Sequence, residues 1–244
     1  GMDTRMKISI IIPIRNLQNE ISECLKSIIA QDFDRKEFEI ICILDDCTDN
    51  TELVIRNLIR SYPDINLKLL HVCCHCPGGA RNAGIDNAIG EYLAFIDGDD
   101  RLINNSALTL LYNAIQGHNA VRVTTHKVND IRGDFSKRLT LWLHFFSRSI
   151  VGDKRFTDKI LSEDYEFVQL VKSDPNYDEV LLDKPLYYYN YNHERMRERI
   201  NLAVKLSCER EKQGLPPAFF HEKRIYEVDE HFKKRIQERL GKNG

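Results

Sequence analysis

Over its first half the chain alternates short, unbroken apolar runs with amphipathic helical periods, and few folds accept that alternation. Lys7 to Ile12 reads KISIII and is closed by Pro13, the pattern of a strand covered on both faces inside a parallel sheet. Ile21, Cys24, Leu25, Ile28 and Ile29 then recur at i, i+3, i+4, i+7 and i+8, which predicts a helix. Glu39 to Leu44 (EIICIL) is a second strand that stops at Asp45-Asp46. Thr48 or Asp49 can cap the helix behind it, with Leu53, Val54 and Leu58 expected to face inward. Leu67 to Val72 predicts a third strand, and Pro77-Gly78-Gly79 breaks the chain before a short helix from Ala80 to Ile89. Tyr92 to Ile96 predicts a fourth strand, ending in Asp97-Gly98-Asp99-Asp100. A helix from about Ser106 to Gly117 and a strand from Ala120 to Thr125 complete the pattern.

Such alternation means an α/β fold, a mostly parallel twisted sheet with helices on both faces. Right-handed crossovers bring the carboxyl ends of the strands to one edge, where open α/β sheets bind their ligands. Pro13 to Asn16, Asp45-Asp46 and Asp97 to Asp100 all follow strands directly, so they are expected to line one cleft.

Past residue 126 the pattern loosens. Leu139 to Phe146 is rich in aromatic residues and carries Trp142, the only tryptophan. Ser162 is expected to cap a helix bearing Tyr165, Phe167 and Val168, and Leu186 to Tyr189 reads as a short strand. From His193 onward the chain reads as two charged helices joined by Gly214-Leu215-Pro216-Pro217.

Composition narrows the class. At 244 residues with 42% hydrophobic and 30% charged residues, the chain can bury one sizeable core. A formal charge of −2 lacks the basic excess of a nucleic-acid reader, so no nucleic-acid partner is expected. No apolar run is long enough to span a bilayer, and Gly1 before Met2 reads as the scar of a cleaved tag. Seven cysteines, mostly in apolar segments, favour reduced thiols and a cytoplasmic location. Cys73, Cys74, His75 and Cys76 could hold a soft metal, but no second ligand pair follows at zinc-finger spacing. They are read as a strand end running into a loop.

Asp97-Gly98-Asp99-Asp100 concentrates carboxylates on a tight turn, and the glycine is expected to let the backbone turn sharply. Hard cations such as Mg²⁺ or Mn²⁺ take oxygen ligands, usually one or two carboxylates together with substrate phosphates. A solvated turn capping the next helix would look the same, and the position after a buried strand favours the metal. Asp45 or Asp46 could accept hydrogen bonds from a ribose or a base imide, or could cap the next helix. Arg81 follows Gly78-Gly79 and carries a planar, permanently charged fork suited to diphosphate oxygens. These glycines do not form GxGxxG, so a nicotinamide-dependent dehydrogenase is poorly supported.

The stretches SIIIPIRN, EIICILDDCTDNT, GGARNAGIDNAIGEYLAFIDGDD, SEDYEF and KPLYYYN, taken in order, resemble family 2 glycosyltransferases over roughly residues 7 to 192. The resemblance implies a GT-A type nucleotide-diphospho-sugar transferase fold and inverting transfer to an acceptor hydroxyl. It divides the chain into a GT-A domain over 1–192 and a C-terminal helical extension over 193–244. Within the domain, about 7–125 forms the nucleotide-sugar half and about 126–192 the acceptor half.

Carried over by position, Pro13, Arg15 and Asn16 lie at the nucleotide, with Arg15 where the family has an aromatic residue. Asp45 resembles the residue that meets the nucleobase, Asp46 is expected in the nucleotide-sugar site next to it, and Arg81 lies beside nucleotide and diphosphate. Asp97 resembles a ribose or metal contact, Asp99 the metal ligand and Asp164 the catalytic base. The cofactor implied is Mn²⁺ or Mg²⁺, the expected donor a UDP-sugar, and the acceptor a sugar or lipid-linked sugar in polysaccharide or glycoconjugate assembly. Charge at a helix N-terminus is a second reason for Glu163-Asp164, and both readings can hold together.

Trp142, Tyr187, Tyr188 and Tyr189 are read as core ahead of a sugar-stacking wall, and His193 as a surface residue ahead of a metal ligand. From His193 onward there are 13 Lys/Arg against 9 Asp/Glu, read as a solvated helical face. Peripheral contact of these helices with the inner face of a membrane is the alternative. A nucleotide-sugar-binding partner subunit that has lost transfer is the alternative function. A nucleotidyltransferase would need a Gly-rich basic loop where Pro13-Ile14-Arg15-Asn16 stands.

Overall fold

The fold is described from a computed structural model, which covers residues 5–129, 131–133, 140–160 and 162–215. The alternation of the first half is realised as β1 (Ile8–Ile14), α1 (Ile21–Ile29), β2 (Phe38–Asp45), α2 (Thr51–Ser61), β3 (Leu67–Val72), α3 (Pro77–Asn87), β4 (Tyr92–Phe95), a two-residue β5 (Arg101–Leu102) and α4 (Ala107–Ile115). The second half adds β6 (Ala120–Val123), β7 (His126–Val128), β8 (Ile131–Gly133), β9 (His144–Ser147), α5 (Arg148–Val151), α6 (Glu163–Lys172), β10 (Glu179–Leu182), β11 (Tyr187–Tyr189) and α7 (His193–Lys212). The second of the two expected C-terminal helices lies outside the described residues, as do Leu139 and the side chain of His193.

The main sheet runs β10-β6-β9-β4-β1-β2-β3, parallel except for β9, which pairs antiparallel with both β4 and β6. Its centre explains the apolar runs. Ile8, Ile10, Ile12 and Ile14 of β1 pack on one face with Leu25 and Ile28 of α1. Ile11, with Ile41 and Ile43 of β2, packs on the other with Ala80 and Ile85 of α3. Successive side chains of a strand point to opposite faces, so a strand sandwiched between helices has no polar side to show.

Several local expectations change. The strand expected from Ala120 to Thr125 ends at Val123 as β6 of the main sheet, and a separate strand, β7 from His126, enters a smaller sheet ordered β5-β11-β7-β8. Leu53 is 53% exposed, and α2 instead buries Thr51, Ile55 and Leu58. The N-cap is Asn50, which makes no side-chain capping bond, while the preceding Asp49 accepts from the Thr51 amide at 3.0 Å. Ser162 sits at the N-cap of α6 in the left-handed region (φ 65°) and makes no side-chain capping bond.

Helix α3 starts earlier than expected, because Pro77 occupies its first turn, where no amide hydrogen is needed. Its glycines serve closeness. A Cβ on Gly78 would lie 2.3 Å from the Thr157 carbonyl oxygen, and one on Gly84 would lie 2.5 Å from Ile11 Cγ2 and 2.9 Å from Ile43 Cδ1. Gly98 also differs from expectation. Its φ is not among the positive values, but a Cβ there would come within 2.8 Å of Leu17 Cδ1 and 3.3 Å of Ile21 Cδ1. The glycine lets the acidic turn lie against α1.

Gly84 is the tightest helix-to-sheet contact, with both neighbours wholly buried in the sheet. Gly84→Val is expected to destabilise the fold by about 1–3 kcal/mol through overpacking. Urea unfolding should show a lower midpoint at unchanged slope.

Candidate active site

Three strand ends build the floor of a cleft. Pro13, Ile14 and Arg15 follow β1, Asp45 closes β2, and Asp97, Gly98 and Asp99 follow β4. Arg81 enters from α3, and Tyr189, Asn190, Asn192, Arg195, Met196 and Arg199 close the cleft from the β11–α7 side. Of the residues singled out from sequence, Pro13, Arg15, Asp45, Arg81, Asp97 and Asp99 line this space. Asn16, Asp46 and Asp164 lie beside it, outside its lining.

Asn16 is engaged locally. Its Oδ1 accepts from the amides of Thr48 and Asp49 at 2.8 and 3.3 Å, tying the β1 end to the start of α2. It does so in the left-handed region (φ 51°), which asparagine tolerates better than most residues. Asp45 is also engaged. Buried at 4% exposure, it accepts from the amides of Cys74 and His75 at 2.9 Å each and of Cys76 at 3.1 Å. A short run of amides wrapped round one carboxylate shapes the loop between β3 and α3.

The acidic turn is held from below. Asp100 is 2% exposed, accepts from the Tyr187 hydroxyl at 2.6 Å and accepts from the Asn190 amide at 2.9 Å. The same Tyr187 oxygen accepts from the Asp97 amide at 3.0 Å. Burial, with the charges of Asp97 and Asp99, pushes the Asp100 carboxyl up to about 9. The buried acid therefore orders the turn, while Asp97 and Asp99 face the cleft. Burial and then the charge of Asp97 also raise the Asp99 carboxyl, and the Arg195 guanidinium pulls the other way.

Arg81 is 5% exposed and donates to Asp97 Oδ1 and Glu163 Oε1, both at 3.0 Å. Burial opposes its charge, and Asp97 and Glu163 outweigh that cost, so its proton is held more firmly than in free arginine. Glu163 is 2% exposed, and its Oε2 finds no hydrogen-bond partner among the described residues. Its carboxyl is raised by burial and by the neighbouring charge of Asp164, with Arg81 opposing. Asp164 is half-buried and accepts the Tyr165 amide at 2.8 Å. Helix α6 is pinned by Phe167, which stacks on Phe156 with ring centres 3.9 Å apart and meets Phe95 edge-on. That packing sets where Glu163 and Asp164 can stand.

Sequence reading placed a charged helix from His193 but did not assign Arg195 or Arg199 to the site. Arg195 donates to Asp99 Oδ2 at 3.0 Å and to Glu20 Oε1 at 2.7 Å, and Arg199 approaches Glu163 to 4.0 Å. Their i, i+4 spacing places both on one helix face, which was the available signal. Within a stretch of mixed charge it looks the same as a solvated face. The expectation that the tyrosines and Trp142 are core holds for Tyr187, which is buried and stacked on the half-buried Trp142 at 4.3 Å.

The arrangement suits a divalent cation. Asp97 and Asp99 present hard oxygen donors whose mutual repulsion a cation would relieve, and two arginines nearby can receive diphosphate oxygens. Among the described residues no helix is long and apolar enough to cross a membrane.

The chain is 37% identical over 128 residues to a poly(ribitol-phosphate) beta-glucosyltransferase of Bacillus spizizenii, covering 52% of this chain and 20% of that protein. It is 30% identical over 173 residues to a GalNAc(5)-diNAcBac-PP-undecaprenol beta-1,3-glucosyltransferase of Campylobacter jejuni, covering 63% of this chain and 55% of that one. The chain thus spans between a fifth and about half of these relatives' lengths. Among solved structures, Staphylococcus aureus TarS 1–349 in complex with UDP superposes with a TM-score of 0.66 at 25% identity, over 82% of this chain and 65% of that one. A mannosyltransferase of Pyrobaculum calidifontis in complex with GDP-Man and Mn²⁺ shares the fold, with a TM-score of 0.64 at 18% identity over 84% of this chain and 62% of that one. The α/β sheet is accordingly that of the GT-A glycosyltransferases. The model of the family described as "Glycosyl transferase family 2" matches residues 9–168, and the chain belongs to that family.

Proposed function

We propose that the chain transfers a sugar from a nucleoside-diphospho-sugar to an acceptor hydroxyl with inversion at the anomeric carbon. The observation that carries the reading is the meeting of Asp97, Asp99, Arg81 and Asp45 in one cleft at the carboxyl ends of three strands. Asp97 and Asp99 would hold Mg²⁺ or Mn²⁺. Such a cation supplies Lewis-acid stabilisation of the departing diphosphate.

The chain's own groups do the rest. Pro13, Arg15 and Asp45 bound the nucleotide end of the cleft, with Asn16 and Asp46 supporting its rim. The guanidinium groups of Arg81, Arg195 and Arg199 surround the diphosphate end and offer charge-assisted hydrogen bonds to its oxygens. Asp164 takes the proton from the attacking hydroxyl as the new glycosidic bond forms and the bond to the diphosphate breaks. Glu163 beside it is buried and held by the Arg81 guanidinium, which leaves the proton transfer to Asp164.

A UDP-sugar is the expected donor, since solved relatives bind UDP and UDP-GlcNAc. The named relatives transfer to a poly(ribitol-phosphate) and to an undecaprenol-diphosphate-linked glycan, which supports a polymeric or lipid-linked sugar acceptor in polysaccharide or glycoconjugate assembly. An acceptor held on a lipid would bring the basic C-terminal stretch close to an anionic membrane surface.

Ligand binding raises apparent stability by mass action, so a thermal-shift screen of nucleotide-sugars with and without Mn²⁺ tests the donor site. UDP-sugars are expected to raise the melting temperature with Mn²⁺ and to lose that effect in EDTA. Asp99→Ala should abolish the metal-dependent part of the shift. Asp164→Asn should keep the shift and lower transfer by about 10²–10⁴-fold, the usual contribution of a general base. Full transfer by Asp164→Asn would remove Asp164 from the role. A partner subunit without transfer would release no nucleoside diphosphate from a UDP-sugar in the presence of metal, whereas slow release is expected here.

A further inference from the structure

Beside the cleft, the fold assembles a second set of metal-binding groups, of which the sugar-transfer reading involves only Asp46, as part of the rim. Strands β2 and β3 run parallel with Asp45 opposite Val72, and the Asp46 amide donates to the Val72 carbonyl at 2.9 Å. The next residue on each strand is therefore brought side by side, Asp46 on one and Cys73 on the other. The chain then turns so that His75 joins them. Its Nε2 lies 2.7 Å from Asp46 Oδ2 and 3.7 Å from Cys73 Sγ. Ligand atoms of all three residues lie within 4.8 Å of one another.

We propose that Asp46, Cys73 and His75 bind a borderline divalent cation of the Zn²⁺ class, with water in the fourth position. Zinc takes thiolate sulfur at about 2.3 Å and imidazole nitrogen or carboxylate oxygen at about 2.0–2.2 Å in a tetrahedron. Around such an ion sulfur and nitrogen stand about 3.5 Å apart and nitrogen and oxygen about 3.3 Å. The sulfur–nitrogen pair already stands near that separation. The hydrogen-bonded His75–Asp46 pair, at 2.7 Å, must open by about 0.6 Å, and both side chains are 47% exposed and able to rotate. Cys73 binds as the thiolate and releases its proton to solvent. Cys74 is not part of the set, because its sulfur turns to Asp45 Oδ2 and the Cys76 carbonyl.

The ligands are held in place in advance. Asp46 and His75 both sit in the left-handed region, at φ 49° and 53°, where the β2 end and the 73–76 loop present their side chains to the same point. The loop is fixed by its three amides on Asp45. The donor set also separates this site from the acidic turn. Asp97 and Asp99 offer oxygen alone and suit hard cations, while sulfur and imidazole favour softer ones. His75 lines the cleft, so the ion would clip the loop that bounds the nucleotide end.

Cobalt(II) is the probe, because only a bound thiolate produces a sulfur-to-cobalt charge-transfer band, and the carboxylate turn cannot. The reduced full chain, stripped with EDTA and desalted, is titrated with CoCl₂. One equivalent should develop the band, equimolar Zn²⁺ should bleach it, and excess Mg²⁺ should leave it unchanged. Cys73→Ser should abolish it, and Cys74→Ser should retain it. His75→Asn, which keeps a side chain tolerant of positive φ, should weaken cobalt affinity at least tenfold. No band in the unmodified chain would overturn the site. So would a band surviving Cys73→Ser or lost in Cys74→Ser. The donor thermal shift does not depend on this readout, so either proposal can fail without the other.

Discussion

Arg81 ties the cleft together. Its buried guanidinium reaches from α3 to Asp97 on the turn after β4 and to Glu163 at the first turn of α6, residues 16 and 82 positions away. A buried ion pair yields little net stability against an apolar replacement, but a buried charge left without its partner costs about 3–5 kcal/mol. The contact therefore specifies geometry more than it adds stability. The acidic turn can take one position relative to α6, and α6 one position relative to the sheet.

Acidic groups crowd the cleft floor, and the fold separates their work by depth. Asp100 and Glu163 lie in the interior, where burial raises both carboxyls; Tyr187 and Asn190 hold Asp100, and Arg81 holds one oxygen of Glu163. Asp97 and Asp99 stand at the surface of the cleft, where arginines from α3 and α7 offset their repulsion. Like charges so close favour anything positive between them. The same crowding that makes the turn costly without a partner suits it to a cation.

Much of the fold was legible because burial on both faces leaves a strong mark. A run such as Ile10-Ile11-Ile12 has few soluble uses besides the middle of a covered sheet, and β1, β2 and β3 stand where periodicity placed them. Single faces were less legible. Leu53 and Ile55 are both apolar on α2, and only the packing of α2 into the buried cluster it shares with α1 selects Ile55. Gly78 and Gly79 read as a break ahead of the helix, since sequence carries no sign that Thr157 would approach Gly78 so closely.

From sequence alone followed an α/β chain with acidic strand ends gathered at one edge, because strand direction and crossover handedness are local properties that propagate. Tertiary structure alone decided which acids face the cleft and which lie beneath it, and it brought Arg195 and Arg199 of α7 to the acidic residues. It also put Asp46 beside Cys73 and His75, completing a ligand set that looked like a lone loop cluster in the chain. Such pairings join residues dozens of positions apart. They depend on strand register and on the packing of α6 and α7, which no local pattern records.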